Sequence, residues 1–470
     1  MQGPLARPGR SAVLPTRPRI DRFKLASRRH VRERLMRDDV IADAVRRHAE
    51  VTGTPQHDAW QRVDAYIHEI VPFFNVVAYY QIGYRAAGWL LHLFYKTSVD
   101  YADASGRERL PRDAVLVYVM NHRSNADYIL VSHALAGQVA ISYAVGEWAR
   151  AFPLELVFKA FGSYFIRRRY REPLYHAVLE RYVQLITREG VTQGIFVEGG
   201  LTRDGRLRVP KVGLLDYILG IGRDPEFAAR LYIVPVAVNY DRVLEDRSLL
   251  RELDASNGGR RPARILQLYE VARYVGWNLV RMLSRRWKRY GRAAVVVGAP
   301  IPLAPWFSDH ADLFELERPE RLGQVQALCD ALLVRVGELI PVTPVPLVCA
   351  AIQSFDAEFI PREALVGRIA EMRGALHELN ARVLGGDDGA DELLAKAWRM
   401  LKMRRVAAEA GGGYLVLPRG RPLLSYYANS IAHLLGPYVE AVQARDALPL
   451  GDLLERTRRA GYVPQTIAHP

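Results

Sequence analysis

The chain has 470 residues, half of them hydrophobic and a quarter charged, so we expect a substantial core rather than disorder. Its 65 Lys and Arg against 51 Asp and Glu give a net charge of +14, which favours phosphate-bearing partners such as nucleic acid, an anionic membrane or a phosphorylated small molecule. The two cysteines, Cys329 and Cys349, belong to no His/Cys cluster, which argues against a disulfide framework or a zinc site and favours a reducing compartment.

The first segment, residues 1–45, is rich in Pro and Arg and lacks sustained periodicity, which predicts a flexible basic arm. Its beginning has basic residues but no apolar h-region, so no signal peptide is predicted. The chain has no run of about 18 uncharged apolar residues, so no ordinary membrane span is predicted. These features favour a cytoplasmic protein.

The second segment, residues 46–109, is predicted to be helical. Its stretch Glu69–Ser98 is rich in aromatic residues, with Arg85 near the middle. Two interpretations stay open for this stretch. It is either a buried helix or a helix in the membrane interface, where Trp and Tyr rings favour the headgroup boundary.

The third segment, residues 110–310, alternates short apolar runs with longer amphipathic ones. Runs rich in β-branched residues predict buried strands at 114–120, 193–199, 231–240 and 292–301. Helices are predicted at 173–189, 211–222 and 268–290. The alternation predicts an α/β domain with a largely parallel sheet flanked by helices, whose site lies beyond the strand ends. Pro235, inside one predicted strand, suggests an edge or a bulge.

The last segment, residues 311–470, is predicted to be a helical C-terminal region. Helical periodicity covers 320–337, 362–383 and 389–410. Glycines break these helices, among them the run Gly411–Gly413.

A polar stretch, Asn-His-Arg-Ser-Asn-Ala-Asp, follows the first predicted strand of the α/β domain. If the strand ends near Met120 and a helix begins near Ala126, the carboxylate of Asp127 can reach a ring nitrogen of His122. Such a carboxylate fixes the imidazole tautomer and supports the imidazolium that forms when the other nitrogen takes a proton. The alternative, in which Asp127 caps the helix and His122 merely packs, stays open.

Two further stretches carry basic residues after apolar runs. In residues 162–178, Arg167 and Arg168 follow aromatic and aliphatic residues, and guanidinium groups suit phosphate because their fork geometry gives two parallel bonds. A run of arginines is also typical of a solvated face. In residues 195–213, Glu198 ends a predicted strand before two glycines and several basic residues, which suits an anion pocket.

In chain order these motifs are His-x4-Asp, Gly-x2-Phe-Ile-Arg-Arg, Phe-Val-Glu-Gly-Gly, and Val-Pro-Val with Tyr-Asp-Arg-Val. The series resembles the four blocks of the glycerolipid acyltransferases, specifically the bacterial and mitochondrial glycerol-3-phosphate acyltransferase branch. Residues 341–352 and 423–435 resemble segments of the helical C-terminal region of that branch. The resemblance covers residues from about 65 to 440.

This resemblance implies transfer of a fatty acyl group from an acyl thioester, acyl-CoA or acyl-ACP, to the sn-1 hydroxyl of glycerol-3-phosphate. The product is lysophosphatidate for phospholipid synthesis. The resemblance implies His122 as general base oriented by Asp127, and Arg167 as the ligand of the acceptor phosphate. Glu198 and Gly199 are implied to shape the pocket.

The same resemblance makes Arg168, Arg203 and Lys211 further candidates for anion binding. One departure is Leu201, where the branch has Arg, and it leaves lysophosphatidate and dihydroxyacetone phosphate open as alternative acceptors. Because a thioester is already activated, neither a metal nor a cofactor is expected beyond the acyl donor as co-substrate.

The expected partners are the acyl thioester donor, the phosphorylated glycerol-type acceptor and an anionic membrane surface on the inner face of the cell membrane, with acyl carrier protein as one form of the donor. Residues 272–292 combine Trp, Leu, Val and Met with many basic residues, which suits an interfacial helix or an ordinary surface helix. A basic protein that binds membrane or nucleic acid without catalysis is the alternative from another class. No zinc-finger or RNP signature supports nucleic acid as a partner.

Overall fold

The computed structural model describes residues 26–103, 105–106, 108–136, 139–146, 154–167, 170–256, 289–355, 357–385 and 388–436. Chain contacts divide it into two compact units. The small unit comprises Met1–Arg85 and Val131–Thr192, and the large unit comprises Ala86–Leu130 and Gln193–Pro470.

Helices account for much of both units. Among the described residues the α-helices are α1 (Arg28–Met36), α2 (Asp39–Thr52), α3 (Gln56–Ile70), α4 (Tyr84–Phe94), α5 (Asp127–Leu135), α6 (Leu154–Ala160), α7 (Pro173–Arg188), α8 (Gly213–Leu219), α9 (Pro225–Arg230), α10 (Asp246–Ser256), α11 (Ala304–Asp309), α12 (Arg318–Glu338), α13 (Pro344–Gln353), α14 (Arg362–Glu378), α15 (Ala390–Met403) and α16 (Arg421–Asn429). Ala78–Gly83 is a π-helix, and Gly220–Arg223 and Pro418–Gly420 are 3₁₀-helices. The part of the chain that the structure describes contains no helix with both the length and the apolar character that a membrane crossing requires.

The strands in chain order are β1 (Lys96–Tyr101), β2 (Val115–Met120), β3 (Ser142–Val145), β4 (Tyr164–Phe165), β5 (Gln193–Phe196), β6 (Leu231–Tyr240), β7 (Arg292–Val297), β8 (Ile301–Pro302), β9 (Phe359–Pro361), β10 (Ala407–Ala410) and β11 (Gly413–Val416). In the large unit the sheet order is β1-β7-β6-β2-β5, with β8 also paired to β6. The pairs β1–β7, β6–β2 and β2–β5 are parallel, whereas β7 and β8 run antiparallel to β6. The predicted α/β fold with a largely parallel sheet is therefore confirmed.

The centre of this sheet is formed by β2 and β6, whose apolar runs are buried almost throughout. Buried parallel strands need apolar residues on both faces, which is why these segments do not alternate. Their carboxyl ends lie at one edge of the sheet, where Asn121 continues the ladder: its side chain donates to Val238 O at 3.0 Å and accepts from Val238 N at 2.9 Å. This edge is where the polar stretch that begins at Asn121 leaves β2.

Pro235 lies in the interior of the sheet, so the predicted edge is wrong. The predicted bulge is confirmed on one side of β6: two residues separate Ile233 from Val236, whereas three separate their partners Ile301 and Val297. Pro235 pairs with Val119 of β2, and its other side falls between the stretches of β6 that pair with β8 and with β7. A residue's N–H and C=O point to the same side of a strand, and Pro235 O accepts from Gly298 N at 2.8 Å on that side. The missing N–H of proline therefore faces a gap in the pairing rather than a ladder partner.

The small unit is mainly helical, and its first helix begins earlier in the chain than the sequence predicts. Helix α1 starts at Arg28 after the N-cap Ser27, and α2 starts after Asp38, whose carboxylate accepts from the backbone N–H of Val40 and Ile41. The predicted flexible arm is therefore wrong from residue 28 onward. The physical reason is burial: α1 and α2 pack against α3 and α7, which supplies the stabilisation that a short polar helix lacks by itself.

The stretch Glu69–Ser98 forms several elements rather than one helix. Helix α3 ends at Ile70, a π-helix and α4 follow, and the chain enters β1 at Lys96, where pairing with β7 overrides the helical pattern predicted to residue 109. Apolar side chains in this stretch, including Phe73, Val77 and Trp89, are exposed.

The C-terminal region is helical, as predicted, but it also contains a three-stranded antiparallel sheet in the order β10-β11-β9. The helix predicted for 389–410 ends at Met403, and 407–410 is β10. Gly411 and Gly412 have φ of 50° and 80°, so the glycine run forms the tight turn of a hairpin. Most of the helix predicted for 268–290 and of the basic stretch 272–292 lies outside the described residues.

Candidate active site

His122 and Asp127 meet at the carboxyl end of β2, within the large unit. The strand ends at Met120 and α5 begins at Asp127, as the sequence predicts. His122 Nδ1 lies 2.9 Å from Asp127 Oδ2, and the exposed fractions of the two side chains are 1% and 0%. The interpretation in which Asp127 is only a helix cap is therefore not supported by the geometry.

The carboxylate of Asp127 is held by four donors. Oδ2 accepts from His122 Nδ1 and from the backbone N–H groups of Arg123 (2.7 Å) and Ser124 (3.0 Å). Oδ1 accepts from the hydroxyl of Tyr240 at 2.5 Å. Donors around a buried carboxylate compensate for lost hydration and fix its orientation. Asp127 is thereby placed to hold the imidazole in the tautomer with the proton on Nδ1.

The imidazole of His122 is also fixed by aromatic contacts. Its ring stacks on Phe196 with centroids 4.0 Å apart and meets the ring of Tyr128 edge-on at 5.5 Å. Phe196 is the last residue of β5 and Tyr128 lies in the first turn of α5. The strand beside β2 and the helix after the turn thus supply two aromatic contacts to the imidazole.

Glu198 connects β2 to the loop after β5. Its Oε1 accepts from His122 N at 2.9 Å, and its Oε2 accepts from Arg208 N at 3.0 Å. Burial raises the pKa of Glu198 to about 7, although Arg123 and the two backbone donors oppose the shift. Both oxygens of Glu198 therefore accept from backbone N–H groups, and its predicted role in shaping a substrate pocket stays a prediction.

The loop from Gly199 to Lys211 folds over the backbone of His122. Thr202 N donates to His122 O at 3.2 Å, and Lys211 N donates to Val197 O at 2.7 Å. Gly199 has φ +64°, and a Cβ at this position would lie 2.8 Å from Cδ of Lys211. The positive φ therefore favours glycine here, and the missing Cβ leaves room for the Lys211 side chain.

Arg123 is a fully buried guanidinium that joins this loop to the C-terminal region. Nη1 donates to Gly205 O, and Nη2 donates to Ser430 O at 3.2 Å. The contact is close, because a Cβ on Gly205 would lie 1.9 Å from Tyr426 O. Asn429 adds a bond from Nδ2 to Asp204 O at 2.9 Å. Helix α16 thus packs directly on the loop that covers His122.

Comparison with known proteins identifies two stretches of the chain that match known families. Residues 102–239 match the family model described as acyltransferase, and residues 276–442 match the model described as glycerol-3-phosphate acyltransferase C-terminal region. The glycerol-3-phosphate acyltransferase of Aeromonas hydrophila is 28% identical over an alignment of 429 residues, and the alignment covers 87% of this chain and 50% of that protein. The chain is similar to the glycerol-3-phosphate acyltransferases in sequence.

Another such relative is the glycerol-3-phosphate acyltransferase of Pseudoalteromonas translucida, 25% identical over an alignment of 432 residues that again covers 87% of this chain and 50% of the relative. The chain spans about half the length of these curated relatives. A solved structure, the 1-acyl-sn-glycerophosphate acyltransferase of Thermotoga maritima, is 17% identical with a TM-score of 0.27, covering 53% of this chain and 77% of that one. A TM-score this low carries no argument. The resemblance predicted from the motifs is confirmed by the family models and the two relatives.

Sequence reasoning missed two residues around the His122–Asp127 pair, the dyad: Tyr240, which bonds Asp127, and Glu245, which bonds the turn between them. In the sequence, Tyr240 is only the first residue of the Tyr-Asp-Arg-Val motif at the end of β6. The bond from its hydroxyl to Asp127 is visible only in the tertiary structure. Glu245 accepts from Ser124 Oγ at 2.7 Å and from Asn125 N at 3.2 Å. Burial raises the pKa of Glu245, and the nearby charge of Asp127 adds to the shift. Glu245 therefore holds the turn between His122 and α5.

The predicted phosphate ligands belong to both units of the chain. Arg167 belongs to the small unit, where its Nε and Nη2 donate to Glu69 at 2.7 and 2.5 Å and its guanidinium lies 4.7 Å from the ring centroid of Tyr170. Arg168 lies outside the described residues. In the large unit Arg203 pairs with Glu252 at 3.2 Å on the surface. Arg167 and Arg203 therefore lie in ion pairs with carboxylates, and their roles toward a substrate remain predictions.

No group of three or more His, Cys, Asp or Glu side chains with the arrangement of a metal site occurs among the residues that the structure describes. Both cysteines are buried thiols that form no disulfide. The expectation that the reaction needs no metal stays a prediction.

Glu198→Gln should change the pH dependence of stability. Because burial raises the pKa of Glu198 to about 7, the folded protein holds a proton that the unfolded chain releases near pH 4.5. Between pH 4.5 and 7 the native state then binds more protons than the unfolded state. The free energy of unfolding therefore falls as pH rises through this range, by roughly 3 kcal/mol in total. The variant should lack this contribution, as measured by urea unfolding at pH 4.5, 6 and 7.5. Parallel stability profiles for the two proteins would contradict it.

Proposed function

We propose that the protein transfers a fatty acyl group from acyl-CoA or acyl-ACP to the sn-1 hydroxyl of glycerol-3-phosphate. The single observation that carries this proposal is the buried His122–Asp127 pair at a strand end, 2.9 Å apart and held by Tyr240 and two backbone donors. The relationship to glycerol-3-phosphate acyltransferases supports the choice of acceptor. Lysophosphatidate for phospholipid synthesis is the product.

In this mechanism His122 is the general base. With the proton of the neutral ring on Nδ1 toward Asp127, Nε2 carries the lone pair that accepts the proton of the acceptor hydroxyl. The oxygen attacks the thioester carbonyl, the C–O bond forms, and the C–S bond breaks as the thiolate leaves. The imidazolium then returns its proton to the thiolate, so free thiol is released and His122 is neutral again.

The acceptor phosphate requires cationic ligands. Arg167 and Arg168 are proposed to bind it, with Arg203 and Lys211 as further contacts, because guanidinium and ammonium groups bind phosphate through charge-assisted bonds. Arg208 is an additional candidate close to the departure at Leu201: its Nη1 donates to Leu201 O at 3.2 Å. A guanidinium therefore lies beside the position where the related branch has Arg.

His122→Ala should lower acyl transfer by roughly 10²- to 10⁴-fold, the range for losing a general base. The assay is thiol release from palmitoyl-CoA and, separately, palmitoyl-ACP, with glycerol-3-phosphate, lysophosphatidate or dihydroxyacetone phosphate as acceptor. Release should depend on glycerol-3-phosphate.

His433→Ala is the matched control, since His433 is a half-buried histidine of the large unit, with a bond from its ring to Gly337 O. Thermal unfolding of both variants separates lost chemistry from lost folding. Full activity in a folded His122→Ala variant would exclude the proposed base.

Tyr240→Phe should move the acidic limb of the kcat/KM profile to higher pH. Loss of the hydroxyl removes a donor from Asp127, whose carboxylate then stabilises the imidazolium of His122 more strongly and raises its pKa. Stability should fall by about 1.5–3 kcal/mol, the cost of a hydrogen bond to a charged group. Tyr95→Phe is the control: Tyr95 is buried beside Tyr240 and donates to Arg242 O at 2.8 Å, without contact to the dyad. An unshifted profile in Tyr240→Phe would show that this hydroxyl does not tune the base.

We also propose that the protein binds the anionic inner face of the cell membrane. In the small unit the side chains of Val77 and Leu156 are 56% and 48% exposed, and Phe73 and Val157 are exposed near them in the chain. A bond from Asn75 N to Ala160 O at 2.9 Å joins these two segments. An exposed apolar surface of this kind suits the boundary between headgroups and acyl chains.

The double variant Val77→Ser/Leu156→Ser should bind vesicles of anionic phospholipid about tenfold or more weakly, because each apolar side chain loses part of the 1.5–3 kcal/mol available on burial. Cosedimentation at low and high salt measures this binding. Val51→Ser, at a position 87% exposed on α2, should bind as the wild type does. Equal binding by all three proteins would exclude this surface.

A further inference from the structure

A cavity of about 320 Å³ lies in the large unit, beside the exit of β6 and the last turns of α15. Its lining includes four basic side chains, Arg289, Lys396, Arg399 and Lys402, and one carboxyl, Asp241. This composition is unlike the surroundings of His122, where aromatic rings and backbone groups dominate.

The basic side chains of the cavity are only partly neutralised. Lys396 pairs with Asp388 and Glu392 at 2.6 Å each, and Lys402 lies 3.8 Å from Glu409. Arg289 and Arg399 form no ion pair with any residue that the structure describes. Two exposed guanidinium groups on one cavity are therefore available to an anion.

The single carboxyl does not balance this charge. Asp241 accepts from Val345 N at 3.1 Å and from Arg292 N at 2.7 Å, so its oxygens are directed to backbone. Burial raises its pKa, which weakens its negative charge further. A fifth cation lies close by, because the guanidinium of Arg242 is 3.7 Å from the ring centroid of Tyr290, another lining residue.

The remaining wall is apolar. Val345 of α13 and Met400 are buried, and Met403 is exposed on the same helix as Arg399. Methionine side chains adapt to chains of different shape, and a volume of 320 Å³ is at the small end of the range for ligand sites. The combination fits a ligand with one phosphate and an apolar portion, since guanidinium groups bind phosphate in a bidentate manner.

The cavity is distinct from the dyad, although consecutive residues contact each of them. Tyr240 contacts the dyad, and Asp241 lines the cavity. The Tyr240 hydroxyl bonds to Asp127, whereas Asp241 bonds to the backbone of Arg292 and Val345. Successive residues at a strand end direct their side chains to opposite faces. An occupant of the cavity therefore lies on the other side of β6 from His122.

We propose that this cavity is a second binding site, which takes a lipid phosphate: an amphiphile with a phosphate head and an apolar chain. The phosphate lies at Arg289 and Arg399, and the chain lies along the methionines of α15. The site does not depend on acyl transfer by His122.

The test measures binding of dodecyl phosphate, below its micelle concentration, by titration calorimetry in saturating glycerol-3-phosphate. The wild type should bind it, and Arg289→Glu/Arg399→Glu should bind about tenfold or more weakly, because two charge-assisted contacts are lost. Arg419→Glu is the matched control, an exposed arginine outside the cavity. It should bind as the wild type does. The His122→Ala variant should also bind normally, which separates this site from the proposed reaction.

Three comparator ligands identify the chemistry. Dodecyl maltoside should not bind in a manner that depends on the two arginines, and inorganic phosphate should bind much more weakly than dodecyl phosphate. Equal binding of inorganic phosphate would mean an adventitious ion only, and tighter binding of adenosine 3′,5′-bisphosphate would assign the cavity to a nucleotide; either result overturns the proposal.

Met403→Trp narrows the cavity without changing its charge and should also weaken binding. Unchanged dodecyl phosphate affinity in both the charge variant and Met403→Trp overturns it as well.

Discussion

The site depends on the hydrogen bonds that the buried carboxylate of Asp127 accepts. A buried carboxylate is costly unless its oxygens are satisfied, and here four donors satisfy them. Two of these donors are backbone N–H groups of the turn between β2 and α5, so the same bonds that stabilise the charge also fold the turn. His122 is then fixed by Asp127 on one ring nitrogen and by Phe196 on one face.

A second constraint is the buried guanidinium of Arg123. It reaches carbonyl groups in two segments that are far apart in the chain, Gly205 in the loop over His122 and Ser430 after α16. The C-terminal region also contributes Tyr427, whose hydroxyl accepts from Val243 N at 3.1 Å and donates to Asp246 at 2.9 Å. This region is therefore part of the structure that positions the dyad, and damage to its packing should disturb the site.

The positive charge of the chain is distributed over several places rather than one. Arg167 is paired with Glu69 in the small unit, Arg123 is buried in the large unit, and the arginines of the second cavity lie beyond the exit of β6. Burial lowers the pKa of Arg247, and its arginine neighbours, Arg404 foremost, lower it further, which shows how densely cations are placed near the start of α10. A net charge alone does not reveal which of these groups serve structure and which remain open to a ligand.

The sequence by itself determined the alternation of the main strands and helices of the α/β domain, the sheet class, the place of the His122–Asp127 pair at a strand end and the resemblance to the acyltransferases. These features depend on local patterns: β2 and β6 are uninterrupted apolar runs, and the dyad spans a single short turn. Only the tertiary structure decided that Tyr240 bonds Asp127, that Arg123 joins Gly205 to Ser430, and that residues 28–45 are helical. Each of these outcomes depends on packing between segments distant in the chain, which no periodicity or spacing within one segment encodes.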